Sequence, residues 1–233
     1  MSAAKETRFL TGTKKHNSKV TFIILSAAQG RRTKNYGNKS LIEYNGKTVL
    51  QNQVGIIKQK YGADADIILV TGFCSDKVIR DVSGVRIVEN PFHESTNIVE
   101  SMRVGFNAAL DSNVFFIHGD LIFSPSYISP PDTRKIFIPV DNLDRFDKTA
   151  VGVTTQNDRA VNFSYGIGQK WCQISYFPAS YFDQIKSLLA RADKNLTSFE
   201  FLNSLIAKKF EICYFEHNKR SYIKEITSSR DLI

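Results

Sequence analysis

Unbroken or nearly unbroken apolar runs recur along the first half of the chain, each followed by a polar turn and then a helically spaced segment. Val20–Ser26, Asp66–Thr71, Val85–Glu89 and Val114–His118 are short, β-branched and aromatic, the pattern of strands buried on both faces. Between them, Thr48–Tyr61 places Val49, Leu50, Val54, Ile57 and Tyr61 on one helical face. Ser75–Val82 reads as a short helix. Asn97–Leu110 repeats Ile98, Met102, Phe106 and Leu110 at every fourth position. This β-loop-α order predicts an α/β architecture with a parallel or mostly parallel sheet covered by helices.

Beyond Asp120 the texture changes. Short strands are expected at Lys135–Val140, Thr149–Thr155 and Cys172–Phe177, helices near Ala179–Ala192 and Ser198–Lys208, and closing strands at Glu211–Phe215 and Ser221–Ile226. There is no internal repeat, low-complexity tract or Pro/Gly-rich linker. The expectation is a mobile leader over residues 1–19 and a single domain over 20–233.

Composition narrows the class. Of the 233 residues, 42% are hydrophobic and 23% charged, enough to bury a core. No apolar run reaches the ~18 residues that span a bilayer, and the N-terminus lacks a signal-peptide layout. Cys74, Cys172 and Cys213 form no CxxC pair, which fits a reducing, cytoplasmic setting. The net charge of +8 raises nucleic-acid binding, but half of it lies in Met1–Lys19, where Lys5, Arg8, Lys14, Lys15 and Lys19 oppose Glu6 alone. The rest is spread thinly, with a small cluster at Lys219, Arg220 and Lys224. A thin basic surface suits phosphorylated small molecules as well as a polynucleotide.

Three fragments carry candidate chemistry. Leu25-Ser-Ala-Ala-Gln-Gly-Arg-Arg32 follows the first strand, where the amides and small side chains of Ser26, Ala27, Ala28 and Gly30 let phosphates approach and Arg31 or Arg32 neutralises them. It is neither a GxGxxG nor a Walker loop. Lys39, in Asn38-Lys-Ser-Leu-Ile-Glu-Tyr-Asn-Gly-Lys47, can reach an α-phosphate, and Asn45-Gly46 makes a turn. Phe115-Phe-Ile-His-Gly-Asp120 ends a buried strand in a carboxylate, as a Mg²⁺-triphosphate site requires. Taken singly, a tight turn, a solvated lysine and a turn-capping aspartate explain each fragment.

Together the fragments resemble the nucleotidyltransferases with a glycosyltransferase-A-like fold, whose pattern is LAAGxGxR, PKxL, a glycine-lysine before a helix, and a strand ending in aspartate. Leu25–Arg32, Lys39–Leu41, Gly46-Lys47 and Gly119-Asp120 match in order and spacing. Asn90-Pro-Phe-His-Glu-Ser-Thr-Asn97 with Glu100-Ser101 resembles phosphocholine cytidylyltransferase-like members, and Glu225–Leu232 resembles the family's closing segment. The resemblance implies a three-layer, Rossmann-like sandwich with a mixed, mostly parallel central sheet, a nucleotide-binding half (20–120) and an acceptor-binding half (121–233). It implies transfer of an NMP, with CTP the expected donor, to a phosphorylated small molecule such as phosphocholine or a sugar phosphate, and it leaves a homo-oligomer open. Lys39 and Arg32 would be catalytic. Leu25, Ser26, Ala27, Ala28, Gly30 and Ser101 would hold the nucleotide, and Asp120 and Glu225 would hold Mg²⁺. Trp171 would contact the acceptor, against the plainer reading of a core residue. His93 and His118 are expected to pack or hydrogen-bond. Three positions depart from the pattern: Ala28 stands for a glycine, Asn38 for a proline and Thr227 for an acidic residue. These departures favour, as the alternative, a catalytically silent nucleotide-binding or scaffold relative; a nucleic-acid-binding module is the weaker rival.

Overall fold

The computed structural model describes residues 19–28, 37–110, 112–141, 147–216 and 221–226. The expected leader (except Lys19), Gly30, Arg31, Arg32, Lys219, Arg220, Thr227 and Asp231 lie outside them. In chain order the first half contains β1 (Val20–Leu25), β2 (Glu43–Tyr44), β3 (Lys47–Thr48), α1 (Val49–Tyr61), β4 (Ala65–Thr71), α2 (Ser75–Asp81), β5 (Arg86–Glu89), α3 (Ile98–Ala108), β6 (Asn113–His118) and β7 (Leu121–Phe123). The second half contains β8 (Ile136–Asp141), β9 (Val151–Gln156), β10 (Arg159–Tyr165), β11 (Gln169–Trp171), β12 (Ile174–Phe177), α4 (Phe182–Arg191), α5 (Ser198–Ala207), β13 (Ile212–Glu216) and β14 (Ile223–Glu225).

Ten strands form one mixed sheet in the order β11-β9-β10-β13-β8-β12-β6-β1-β4-β5. Its parallel portion is β5, β4, β1 and β6 together with the β13–β8 pair. The other pairings are antiparallel. Strand β11 also pairs with β8, so β8, β11, β9, β10 and β13 close a five-strand ring at one end. The α/β class and mixed sheet expected from the sequence are what forms.

Period-2 alternation explains the layers. Ile23 and Leu25 of β1 pack with Val70 and Phe116 against the layer of α3, α4 and α5. Phe22 and Ile24 point the other way, with Leu69, Phe115 and Ile117, against α1 and α2. Helix α1 starts in a capping box, in which Thr48 accepts from the Gln51 amide and the Gln51 side chain returns to the Thr48 amide. The turn before it is the Asn45-Gly46 pair, both residues at positive φ (53° and 76°), which closes the β2–β3 hairpin. Helix α3 is capped by the Asn97 side chain, which accepts from the Ile98 amide.

Candidate functional site

Register brings the site together. Leu25 at the end of β1 lies opposite Val70 of β4 on one side and His118 of β6 on the other. The loops after these three strands therefore emerge side by side at the carboxyl edge. The chain crosses from β1 to β4 on one flank and reaches β6 on the other, the switch point where open α/β sheets bind ligands. Gly119 makes a close approach: its amide donates to the Leu25 carbonyl at 3.0 Å, and a Cβ there would fall 2.7 Å from that same oxygen. Only glycine lets β6 turn so tightly against the loop after β1.

Asn38 fixes that loop from the far side. It is buried, and its side-chain amide donates to the carbonyls of Ser26 (2.7 Å) and Phe73 (3.1 Å). Its carbonyl oxygen accepts from the Ser40 amide (3.1 Å) and hydroxyl (2.8 Å), capping the turn Lys39–Leu41. The Ser26 hydroxyl is drawn into the same network, 2.6 Å from that of Ser40, and the Ser26 amide donates to Val70. Ser26 is thus a structural member of the loop, and its amide and hydroxyl are both engaged within the protein. Ala28 is exposed and is not among the described residues with positive φ, so its methyl is accommodated without backbone strain.

The turn at Lys39 aims its ammonium at Asp120, 2.9 Å away, with both side chains about four-fifths buried (20% and 18% exposed). Two further devices hold Asp120. Gln53, fully buried on α1, donates to the carbonyls of His118 (2.9 Å) and Leu121 (2.8 Å), which straddle Gly119-Asp120. The Asp120 carbonyl accepts from Ile226 at 2.8 Å, next to the ribbon in which β14 pairs with β7 and sets Glu225 opposite Leu121. Residues 105 positions apart in sequence are thereby placed side by side.

Burial, then the charge of Asp120, pushes the Glu225 carboxyl up, partly offset by Lys39 and by a 2.6 Å hydrogen bond donated by Gln173. Two hard oxygen donors held together against their own repulsion suit a small divalent cation. No cluster of three or more His, Cys, Asp or Glu occurs among the described residues, so further ligands would come from water or phosphate oxygens. Burial pushes the pKa of the His118 imidazole down, and its ring nitrogen stands 3.0 Å from the Ser198 hydroxyl.

Two adjoining depressions share Leu25, Ala28, Ile98 and His118. The smaller, about 120 Å³, contains Lys39 and Asp120. The larger, about 270 Å³, extends between the N-terminus of α3 and the ring, and is lined by Ser101, Trp171, Gln173 and Phe199 among others. Ser101 is buried and its hydroxyl accepts from Asn90 at 3.1 Å. His93, whose ring nitrogen lies 3.2 Å from the Asn90 carbonyl, also lines it. Trp171 is both a core residue and a wall. Its indole nitrogen donates to Ile174 at 3.0 Å, and its ring meets His118 and Phe163 edge-on while bordering the larger depression.

The structure thus brings Leu25, Ser26, Ala27, Ala28, Lys39, Ser101, Asp120, Trp171 and Glu225 to one edge of the sheet. Gly30 and Arg32 lie outside the described residues. Sequence reading passes over Gln53, Gln173, Ser198 and the structural use of Asn38. Gln53 does leave a signal: it is a polar residue inside the apolar stripe, midway between Val49 and Ile57.

The sequence profile of the MobA-like NTP transferase domain matches residues 22–200. No curated protein sequence matches the chain. The fold is similar to that of CTP:phosphocholine cytidylyltransferase from Streptococcus pneumoniae, with TM-score 0.70 and 19% identity over 91% of this chain and 96% of that one. It is similar also to the inositol-1-phosphate CTP transferase from T. maritima, with TM-score 0.70 and 18% identity over 94% and 93% of the two chains. A putative glucose-1-phosphate thymidylyltransferase from Bacillus anthracis gives TM-score 0.73 and 17% identity over 91% and 94%. At these identities the likeness is one of fold.

Proposed function

The chain belongs to the MobA-like NTP transferase family, and from that premise we propose that it transfers CMP from CTP to a small phosphorylated acceptor, releasing pyrophosphate. One observation carries this reading: Lys39, Asp120 and Glu225 converge beneath the loop that follows β1, at the switch point of the sheet. Fold-level likeness to two CTP-using enzymes supports CTP, and their acceptors support a phosphocholine- or polyol-phosphate-sized partner.

The reaction is attack of an acceptor phosphate oxygen on the α-phosphorus, with the bond to the pyrophosphate oxygen breaking as the new P–O bond forms. The nucleophile is already anionic, so the protein must position two anions and neutralise charge more than move protons. The ammonium of Lys39 offsets charge at the α-phosphate, and Arg32 takes the β- and γ-phosphates. The loop from Ala27 to Gly30 supplies amides and small side chains around the triphosphate, and Ser101 meets the base. Asp120 and Glu225 would hold Mg²⁺, which would supply charge neutralisation at the phosphates. Trp171 borders the space left for the acceptor.

The test is pyrophosphate release with Mg²⁺, each of four NTPs and a panel of phosphorylated acceptors including phosphocholine and sugar 1-phosphates. Release with CTP and one acceptor is the expected result. Release with another NTP alone would remove the CTP assignment, and silence across the panel with no NTP binding would favour a scaffold on the same fold.

A further inference from the structure

Gln173 joins β11 to β12 in left-handed backbone, with φ 56°. That region is glycine territory, and a side chain with a Cβ is strained there. Asn45, Asn157 and Asp158, also at positive φ, are of the types that tolerate it; Gln173, like Cys74 and Lys209, is not, and of these three Gln173 is the one that borders the site. Such outliers persist only where their surroundings over-determine them, and they concentrate at working sites.

What fixes Gln173 is visible at both ends. Its backbone carbonyl accepts from the His118 amide at 3.3 Å, tying the kink to the end of β6, just before Gly119-Asp120. Its side-chain amide donates to Glu225 Oε2 at 2.6 Å. The residue borders both the larger depression and the small gap of about 10 Å³ beside Glu225. Glu225 itself ends a three-residue strand. Pairing with β7 sets where its backbone lies, but leaves the direction of its carboxylate open. The hydrogen bond from the Gln173 amide fixes that direction.

We propose that Gln173 is a positioning residue whose strained backbone holds the Glu225 carboxylate beside Asp120, preorganising the pair for a divalent cation. This rests on the reading that the two carboxylates are metal ligands. Outer-shell partners that orient metal ligands commonly contribute 10–100-fold to metal affinity, and Gln173 is placed to do the same here.

The experiment uses the full chain and Mn²⁺ as the probe, with free Mn²⁺ followed by electron paramagnetic resonance. Gln173→Gly relaxes the backbone but removes the amide. Gln173→Asn tolerates the left-handed region, yet its side chain is one methylene short of Glu225, and it carries the test if the glycine variant does not fold. Both variants are expected to bind Mn²⁺ about 10–100-fold more weakly than wild type, with unchanged circular dichroism. In turnover, half-saturating Mg²⁺ should rise by a similar factor while kcat at saturating Mg²⁺ is largely restored. A merely structural role would instead lower kcat at every metal concentration. Folded variants with wild-type Mn²⁺ affinity would overturn the role of Gln173 and leave the metal reading standing. A wild-type protein that binds no Mn²⁺ would overturn both.

Discussion

The side chain of Asn38 spans two loops, donating to the carbonyls of Ser26 and Phe73 while capping the turn that presents Lys39. Where the pattern this segment resembles has proline, this chain fixes the turn by hydrogen bonding. Its backbone at φ −77° is one that proline also adopts, so the conformation is kept and the means differ. Asn38→Ala leaves the buried Ser26 carbonyl and the half-buried Phe73 carbonyl without this donor and is expected to cost about 2–3 kcal/mol, a fall in Tm of about 4–12 °C for a domain this size, measured by calorimetry. Lys39→Ala removes a largely buried cation and leaves Asp120 unpaired, so turnover should fall by roughly 10²–10³ with the fold intact; an unchanged rate would refute its assignment to the α-phosphate. Glu225 is the opposite case. Its carboxyl is raised by burial and by Asp120, so it favours folding below the ordinary glutamate value of about 4.5. That contribution is lost as pH rises through the folded-state value, and at pH 7 the wild type carries a penalty. Glu225→Gln should therefore melt a few degrees higher without metal at pH 7, converge with wild type near pH 4.5, and lose most activity. Thermal melts across that range with turnover at neutral pH check the sign.

At the scale of elements, legibility follows period. Strands β1, β4 and β6 are continuous apolar runs, and α1 and α3 keep one apolar face, so each is recognisable from side-chain spacing alone. Strand β10 escapes sequence reading because a bulge between Ala160 and Asn162 breaks the alternation that reveals a strand. Strands β7 and β11 have three residues each, too few for any period, and they exist because distant partners pair with them. The neighbourhood of Glu225 is therefore half legible: the pattern marks a strand over Ser221–Ile226, which contains β14, but β7 has no local signature, so their pairing cannot be read from side-chain spacing. Gln53 links the legible and illegible parts, since a well-patterned helix uses one buried amide to hold both carbonyls beside Gly119-Asp120. Its own Oε1 has no partner among the described residues, a sign that the donor side is what the position serves. Gln53→Leu keeps the apolar stripe and should preserve helicity. It orphans two carbonyls, at a cost of about 1–3 kcal/mol, and should lower kcat by loosening Asp120. A folded variant of undiminished stability and kcat would show that the turn needs no such support.

Across the whole molecule, the site lies on the seam between two differently built regions. The parallel strands supply the loop after β1, Lys39 and Asp120, whereas the antiparallel region and C-terminal ribbon supply Trp171, Gln173 and Glu225. A ligand bridging that seam is held by both regions only when they are folded together, so binding should appear as global stabilisation. For a ligand at one hundred times its Kd the gain is about 2.7 kcal/mol, or roughly 5–11 °C in Tm for a chain of this length. CTP with Mg²⁺ is expected to give a shift of that order, and CTP with excess chelator a much smaller one. In Asp120→Asn the metal-dependent part should vanish while the protein remains folded. Among the four NTPs, a larger shift for CTP would support a base pocket at Ser101 that selects the pyrimidine. Equal shifts for all four would mean that the triphosphate provides the affinity and that base selection, if the enzyme exerts any, arises during turnover.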